Sequence, residues 1–532
     1  MTNMFVSCAA ESGQADAFGF RSLYQAWQAC RKRKRGTRNA QRYEVHLLDQ
    51  LVDTGAALKA RTWAPGRSVC FVTTRPKARE IHAADFADRV VHHLLVPRLE
   101  ALFEPVFIHD SYSNRVGKGT HAAVDRVQAF MRRVSRNGTQ RAWYLQLDIR
   151  NFFNTIDRRL LLGQLMRRIG KAVRSGRLDP AEAEQLAWLC GAILDRQPAE
   201  NVTYRGNPDA LARVPEYKRL SLAPPGKGLP IGNLTSQFFA NVYLNELDQF
   251  VKHTLKCHCY VRYVDDFVLL HKDREQLLQW CDEIRSFLTG RLELELKHDG
   301  ILRPVTDGTD FLGYITRPDY RLVRRRVIGQ LHERLERFTR LLIREDRNGR
   351  ILIVKKEHRN ALQATLASYL GHFRHADAHR LVCSLWRRYP WLGELFRLID
   401  DYRMISLWEP PSVTSLRSQW RWFKQQRPDD VVLVQRGNVF EAYGEDAKRL
   451  NRLLNLPFST RERIGGRGYE NEALSLSLGK LNPFRRRLRA VGIAYCFIAE
   501  EGYLKGGMKR RVLRLAWRPP VAQAQGVQSC NA

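Results

Sequence analysis

Cysteine is sparse in this chain, and none of it is arranged for pairing or chelation. Ten cysteines are scattered over 532 residues, from Cys8 to Cys530, with no CxxC pair. Cys257-His258-Cys259 is the one tight group, and its one-residue spacings suit a chelating loop poorly. A disulfide framework is therefore excluded, and the thiols read as reduced and structural. Long uncharged runs are missing too. No stretch long enough to cross a bilayer is free of charge, and the N-terminus shows no signal-peptide pattern, so the expectation is a soluble, cytoplasmic protein with no membrane partner. There is no internal repeat and no low-complexity tract. Acids are in short supply: 55 Asp and Glu stand against 88 Lys and Arg, a net charge of +33 that points to a polyanionic partner.

The run YVRYVDDFVLL places two adjacent carboxylates, Asp265 and Asp266, between two strand-like segments, Val261 to Val264 and Phe267 to Leu270. Turn aspartates ordinarily bond their own backbone. Here the flanks are of the buried type, and acids projecting from a hydrophobic sheet cost enough desolvation to point to a bound cation. Phosphoryl transfer between two such cations needs a further acid from a separate segment. In WYLQLDIRNFFNTID, Tyr144, Gln146 and Asp148 alternate with Leu145, Leu147 and Ile149, which predicts a strand ending in an acid. Asp148 is the third carboxylate, with the backbone of Ile149 beside it to complete the shell.

Asp148 with Phe153, then Gly232-Asn233-Leu234-Thr235-Ser236-Gln237, then Tyr263 to Asp266, then Phe311-Leu312-Gly313-Tyr314, follow the order and rough spacing of reverse transcriptase motifs between Arg75 and Tyr314. The chain resembles that family. The resemblance implies Asp148, Asp265 and Asp266 as catalytic metal ligands for two Mg²⁺ ions, or Mn²⁺ in their place. It further implies Phe153 as the aromatic gate against a ribose 2′-hydroxyl, and Lys77 and Arg79 as triphosphate contacts, although a solvated surface lysine is an equal reading of Lys77 in so basic a chain. Two further blocks, Asp110-Ser-Tyr-Ser-Asn-Arg115-Val-Gly117-Lys118-Gly119-Thr120-His121 and Leu229 to Gln237, look like reverse transcriptases of diversity-generating retroelements. Ile231 stands where most relatives carry Gln, in a nucleotide-touching group with Gly232 and Gln237. An apolar side chain there removes a hydrogen-bonding check on the nascent pair, which predicts errors opposite adenine; the alternative is a plain core isoleucine. Upstream of Pro304, His298-Asp299-Gly300 replaces the family's Lys-Lys-Thr, leaving Lys297 or His298 to donate a proton to pyrophosphate, or neither.

The expected fold is multidomain α+β and α/β. Residues 1–74 are a basic helical extension and 75–320 the fingers and palm of a right-hand polymerase with an antiparallel palm sheet. Residues 321–398 are a helical basic thumb, 399–418 a linker, 419–518 a mixed α/β domain and 519–532 a disordered tail. In the thumb, Val327, Leu331, Leu335, Phe338 and Leu342 form an apolar face opposite Arg334, Arg337, Arg340 and Arg344. Arg324, Arg325, Arg326 and Arg334 are expected to track nucleic-acid phosphates. Segment 201–228, rich in Gly and Pro, reads as an inserted loop.

Beyond Pro411, Val431 to Val434, Phe440 to Ala447, Leu450 to Leu454 and Gly492 to Ile498 form a strand and helix pattern similar to the N-terminal domain of MutS mismatch-repair proteins. That family inserts a Phe wedge, with a Glu two residues on. Here Val439 takes the wedge position, leaving Phe440 and Glu441 as candidate nucleic-acid contacts. Expected partners are template RNA, cDNA and their hybrid, dNTPs, and a small basic accessory protein, in a prokaryotic or phage-encoded setting. Two other readings stay open: an antiphage defence reverse transcriptase, and an RNA-binding scaffold with a relic palm.

Overall fold

A computed structural model describes residues 18–74, 77–196, 199–346, 348–410, 415–458, 473–504 and 507–520. The beginning of the expected N-terminal extension, 1–17, and most of the expected tail, 521–532, lie outside the described residues. The chain divides into two compact units, one running to Leu312 with Thr316–Asp319, the other made of Gly313–Ile315 and Tyr320 onward.

In the first unit, helix Phe86–Phe103 begins where the Asp85 carboxylate accepts the Ala87 N–H, and it buries Val90, Val91, Leu94, Leu95 and Leu99. Helices Phe20–Arg31 and Leu47–Lys59 share this core through Leu23, Trp27 and Leu51, so the N-terminal segment is part of the unit's packing. Helix Leu234–Gln249 begins in the Gly232 to Gln237 block and carries apolar residues at helical spacing, from Leu234 and Phe238 to Val242 and Leu244. It is buried on nearly every side, from Phe238 and Phe239 through Val242, Tyr243 and Leu244 to Asp248, and forms the unit's central helix.

Above it lies a four-stranded antiparallel sheet, in spatial order Tyr260–Tyr263, Asp266–His271, Trp143–Asp148, Ile301–Pro304. A second sheet joins Arg79–Ala83 antiparallel to Ser68–Thr73, which pairs in parallel with Val202–Tyr204. Segment 201–228 is thus not only the loop expected. It supplies this edge strand and a short helix, Pro208–Ala212, because a strand edge left by Ser68–Thr73 is satisfied by whichever extended segment reaches it.

The second unit is organised around a seven-stranded sheet in the order Ile343–Asp346, Gly349–Ile353, Lys509–Arg518, Tyr495–Tyr503, Val431–Arg436, Val439–Tyr443, Ala473–Ser477. Val431 to Val434 is buried on both faces, as its unbroken apolar run requires. Val432 and Val434 join a core with Leu331, Leu335, Leu362, Leu366 and Phe423 from helices of residues 325–426. Val431 and Leu433 join a separate core with Leu450, Phe484 and Leu488 on the other face. The segment expected to be a helical thumb, 321–398, therefore also contains two antiparallel strands, Ile343–Asp346 and Gly349–Ile353, that complete this sheet. Arg344, placed on a helix face by periodicity, lies in its first strand. Gly349 makes the junction feasible: at φ +135° a Cβ would stand 2.2 Å from the Arg518 carbonyl oxygen.

Candidate active site

Strand Trp143–Asp148 delivers its terminal acid directly opposite Asp266 in the antiparallel register, and Tyr263 pairs with Asp266 on the other side. Val264 and Asp265 are the two residues left to turn the chain. Directly opposed carboxylates are destabilising on a sheet unless something offsets them. Burial, and next the charge of Asp148, push the Asp265 carboxyl up to about 6, while Arg79 and Lys297 pull the other way. Lys297 is the nearest compensation. Its backbone N–H donates to the Asp148 carbonyl at 2.9 Å and its Nζ to Asp148 Oδ2 at 3.0 Å, a hydrogen bond that holds the ammonium above its ordinary range. Gln146 donates to Asp266 Oδ1 at 3.0 Å.

The turn is conformationally costly. Val264 sits at φ +57°, a region that a β-branched residue avoids, at a cost on the order of 1–3 kcal/mol. Two hydrogen bonds hold it there: Arg262 Nη1 donates to the Val264 carbonyl at 3.0 Å, and the N–H of buried Ile149 donates to the Asp265 carbonyl at 3.2 Å. Arg262 is itself completely buried, against an equally buried Asp248 on the central helix, with Nε–Oδ1 and Nη2–Oδ2 distances of 2.7 and 2.6 Å. Tyr260 and Asn241 complete the network at 2.9 and 3.3 Å. Although burial alone would depress it, the Asp248 carboxylate keeps Arg262 firmly charged. Sequence reasoning passed over this pair. The available signal was an arginine at an inward position of an otherwise apolar strand.

The other expected nucleotide contacts are tied to one another through backbone. The Phe153 carbonyl, on the single helical turn Phe152–Thr155, accepts the Leu229 N–H at 2.7 Å. Ile231, half-buried, offers its carbonyl to the His82 N–H at 2.8 Å, and Asn233 Oδ1 accepts the Ala84 N–H at 3.0 Å. Gly232, at φ +123°, lets this loop lie against strand Arg79–Ala83: a Cβ would meet Ile81 at 3.0 Å and the His82 carbonyl oxygen at 3.2 Å. The Arg79 and Lys77 side chains are exposed, and Gln237 is half-buried in the first turn of the central helix.

Arg325, Arg326 and Arg334 are exposed on the second unit, Arg324 is half-buried, and Arg334 lies 5.6 Å over the Tyr369 ring. Phe440 and Glu441 are a correction. Both are buried in strand Val439–Tyr443, Phe440 edge-on to Phe497 with centroids 5.0 Å apart and Glu441 bonded by Tyr443 Oη, so neither is presented to a nucleic acid.

Among the described residues, no three His, Cys, Asp or Glu side chains are gathered closely enough to hold an ion as they stand. The donor chemistry nevertheless fits a hard divalent cation: oxygen ligands only, two acids face to face, and a third in the adjoining turn whose carboxyl is raised by burial first and by the Asp148 charge second. The eight described cysteines are free, Cys257 and Cys259 among the buried ones, and no described helix is long and apolar enough to cross a membrane.

A sheet that sets acids from two strands side by side is an arrangement that metal-dependent phosphoryl transfer requires. Comparison with known proteins makes the class particular. Residues 73–316 match the family model described as reverse transcriptase (RNA-dependent DNA polymerase), and residues 414–518 match the one described as MutS domain I. The chain thus carries both domains, and its enzyme class is RNA-directed DNA polymerase. It is 26% identical over 295 residues to protein YkfC of Escherichia coli K12, spanning 49% of this chain and 68% of YkfC. It is 22% identical over 303 residues to the group II intron-encoded protein LtrA of Lactococcus lactis, spanning 45% of this chain but only 44% of LtrA. The C-terminal part is 30% identical over 107 residues to the DNA mismatch repair protein MutS of Dehalococcoides mccartyi, covering 20% of this chain and 12% of that protein. Among solved structures, apo telomerase of Candida tropicalis aligns at 11% identity over 52% of this chain and 60% of its own, with a TM-score of 0.35.

Proposed function

We propose that the protein copies a template RNA into cDNA at Asp148, Asp265 and Asp266, and that it does so with low fidelity opposite adenine, as the polymerase of a diversity-generating retroelement. The observation that carries the catalytic reading is the register that sets Asp148 against Asp266 with Asp265 in the adjoining turn. These three side chains and the Ile149 carbonyl would hold two Mg²⁺ ions, or Mn²⁺, which when bound supply the charge that activates the primer 3′-hydroxyl and offsets the triphosphate. Arg79 and Lys77 add positive charge on the fingers side, where it stabilises charge developing on the phosphates. Lys297, held protonated beside Asp148, is the group positioned to give a proton to departing pyrophosphate; His298 Nδ1 is occupied by the Gly300 N–H at 3.0 Å. Phe153 limits the space at the ribose 2′ position. Arg324, Arg325, Arg326 and Arg334 grip the RNA–DNA hybrid as the thumb.

The error-prone reading rests on Ile231. Its carbonyl accepts the His82 N–H, which ties the loop to strand Arg79–Ala83, and its apolar side chain offers the nascent pair shape without a hydrogen bond. Primer extension on a defined RNA with Mg²⁺, followed by sequencing of the cDNA, tests both parts. Wild-type protein yields cDNA with errors concentrated opposite adenine. Asp265→Ala with Asp266→Ala lowers extension by at least about 10³-fold, and Ile231→Gln lowers the adenine errors. Extension that survives loss of both acids refutes the catalytic assignment, and uniform low error in wild type and Ile231→Gln refutes the fidelity assignment.

A further inference from the structure

We infer that the MutS-like part of the second unit binds the phosphate backbone of double-helical nucleic acid through the arginine ridge of helix Leu481–Ala490, and that it does so without reading mismatches. The helix carries Arg485, Arg486, Arg487 and Arg489 in ten residues and no acid. Phe484 and Leu488 turn inward to the core, which leaves Arg486 and Arg487 exposed and Arg485 and Arg489 half-buried along its flank. Arg485 and Arg489, four residues apart on one face, both donate to the hydroxyl of Tyr495, at 3.4 and 3.1 Å, and Tyr495 is itself buried and stacked on Trp517 at 5.7 Å. Their orientation is thus set in advance, which lowers the entropy lost when phosphates arrive.

Several other arginines on or beside the sheet of the second unit are committed to acids. Arg359 pairs with Glu501, Arg427 with Glu394 and Asp430, Arg511 with Glu500, and Arg518 with Asp430. Among the described residues, none of the four ridge arginines has a carboxylate partner. A charged face serving solubility alone normally mixes both signs. Among the described residues these four guanidiniums are thus uncommitted to acids, and phosphates are the ligand arginine is suited to.

Mismatch reading requires an apolar side chain free to enter the base stack. Val439 is half-buried, and Phe440 and Glu441 are committed to the interior. The strand register also sets Val439 opposite Ser477, the residue from which the chain leads into the ridge helix. The hairpin tip and the start of the ridge therefore share one end of the sheet, so a double helix lying along the ridge meets a valine rather than a wedge phenylalanine.

The test uses the full chain with a 24-base-pair RNA–DNA hybrid, and with DNA duplexes of the same length, perfectly paired or carrying one mismatch. Arginine modification mapped by mass spectrometry should show Arg486 and Arg487 protected by all three, with protection lost at high salt. Arg486→Glu with Arg487→Glu should reduce the slope of log affinity against log salt by about two, since each phosphate contact contributes roughly 0.9. Arg486→Lys with Arg487→Lys should keep the wild-type slope, which separates a charge effect from misfolding. The inference is overturned if the slope is unchanged and the ridge unprotected. It is equally overturned if a polyglutamate peptide, but no nucleic acid, protects the ridge, which indicates an acidic protein partner. Tenfold tighter binding of the mismatched duplex, abolished by Val439→Ala, also overturns it.

Discussion

At the scale of single residues, the most consequential contact is the one Arg262 makes to the Val264 carbonyl, because it holds a strained turn on which two of the three acids depend. Removing one partner of a buried ion pair typically costs about 3–5 kcal/mol, whereas replacing both with apolar residues is often nearly neutral. Arg262→Met should therefore lower thermal stability sharply, and Asp248→Leu added to it should restore most of that loss. Primer extension should stay depressed in the double variant, since the Val264 carbonyl still lacks its donor. Calorimetry and single-turnover rates on the same samples check this, and full recovery of rate in the double variant would show that the pair serves stability alone.

Asp88 supplies a prediction of a different kind. Burial, opposed by the Gly66 N–H at 2.8 Å, pushes its carboxyl from an ordinary 3.8 up to about 6. The folded state then holds this proton more tightly than the unfolded state. Its contribution is complete below about pH 4 and is lost as pH rises through 6, a change of about 3 kcal/mol at most. In Asp88→Asn the amide oxygen still accepts from Gly66 and nothing titrates. Denaturant midpoints measured from pH 4 to 8 should fall with pH in the wild type and lose that component in the variant, which becomes the more stable of the two above pH 6.

At the scale of elements, the antiparallel pair Ile343–Asp346 and Gly349–Ile353 shows what periodicity cannot convey. The run from Val327 to Leu342 has a clear 3.6-residue apolar face, and Leu331, Leu335 and Leu342 are indeed buried along helix Arg325–Leu342. The four residues after it carry no helix-breaking signal strong enough to mark a strand. They become one because Gly349–Ile353 finds an open edge at Lys509–Arg518, more than 150 positions away in sequence. Gly349→Ala tests the junction: with the added carbon 2.2 Å from the Arg518 oxygen, the strand pair must separate or distort. The expected outcome is loss of amide protection in 349–353 and 514–518 by hydrogen exchange, with protection at Asp266–His271 unchanged. The YVDD hairpin lies at the opposite extreme. Its strands, expected at 261–264 and 267–270, occur at Tyr260–Tyr263 and Asp266–His271, because both pairing partners and the turn are local.

At the scale of the whole molecule, the MutS-like strands share a core with the helices between Arg325 and Gln426. Cutting the chain after Pro410 would leave Leu331, Leu335, Leu362, Leu366 and Phe396 without the sheet face formed by Val432, Val434, Cys496 and Ile498. An exposed apolar face of that kind aggregates or remains loosely packed. The truncated protein should thus show rapid proteolysis within 321–410 and increased binding of a hydrophobic dye, while a chain with intact strands but altered ridge arginines should show neither.

The strands that end at Asp148 and flank Asp265 and Asp266 were legible in the amino-acid order because apolar alternation and the adjoining turn are local signals, whereas Phe153 and Ile231 stood out only through resemblance to a family, and basic composition alone pointed to a polyanion. Tertiary structure decided the rest. It opposed Asp148 to Asp266 by pairing strands more than 100 residues apart, and it buried Arg262 against Asp248 beneath the turn. It also turned Phe440 and Glu441 into the core and joined two expected domains through one sheet. The division has one physical cause: turns, strand propensity and charge act between neighbours in sequence, whereas register, burial and the closing of a sheet edge depend on segments that meet only when the chain is folded.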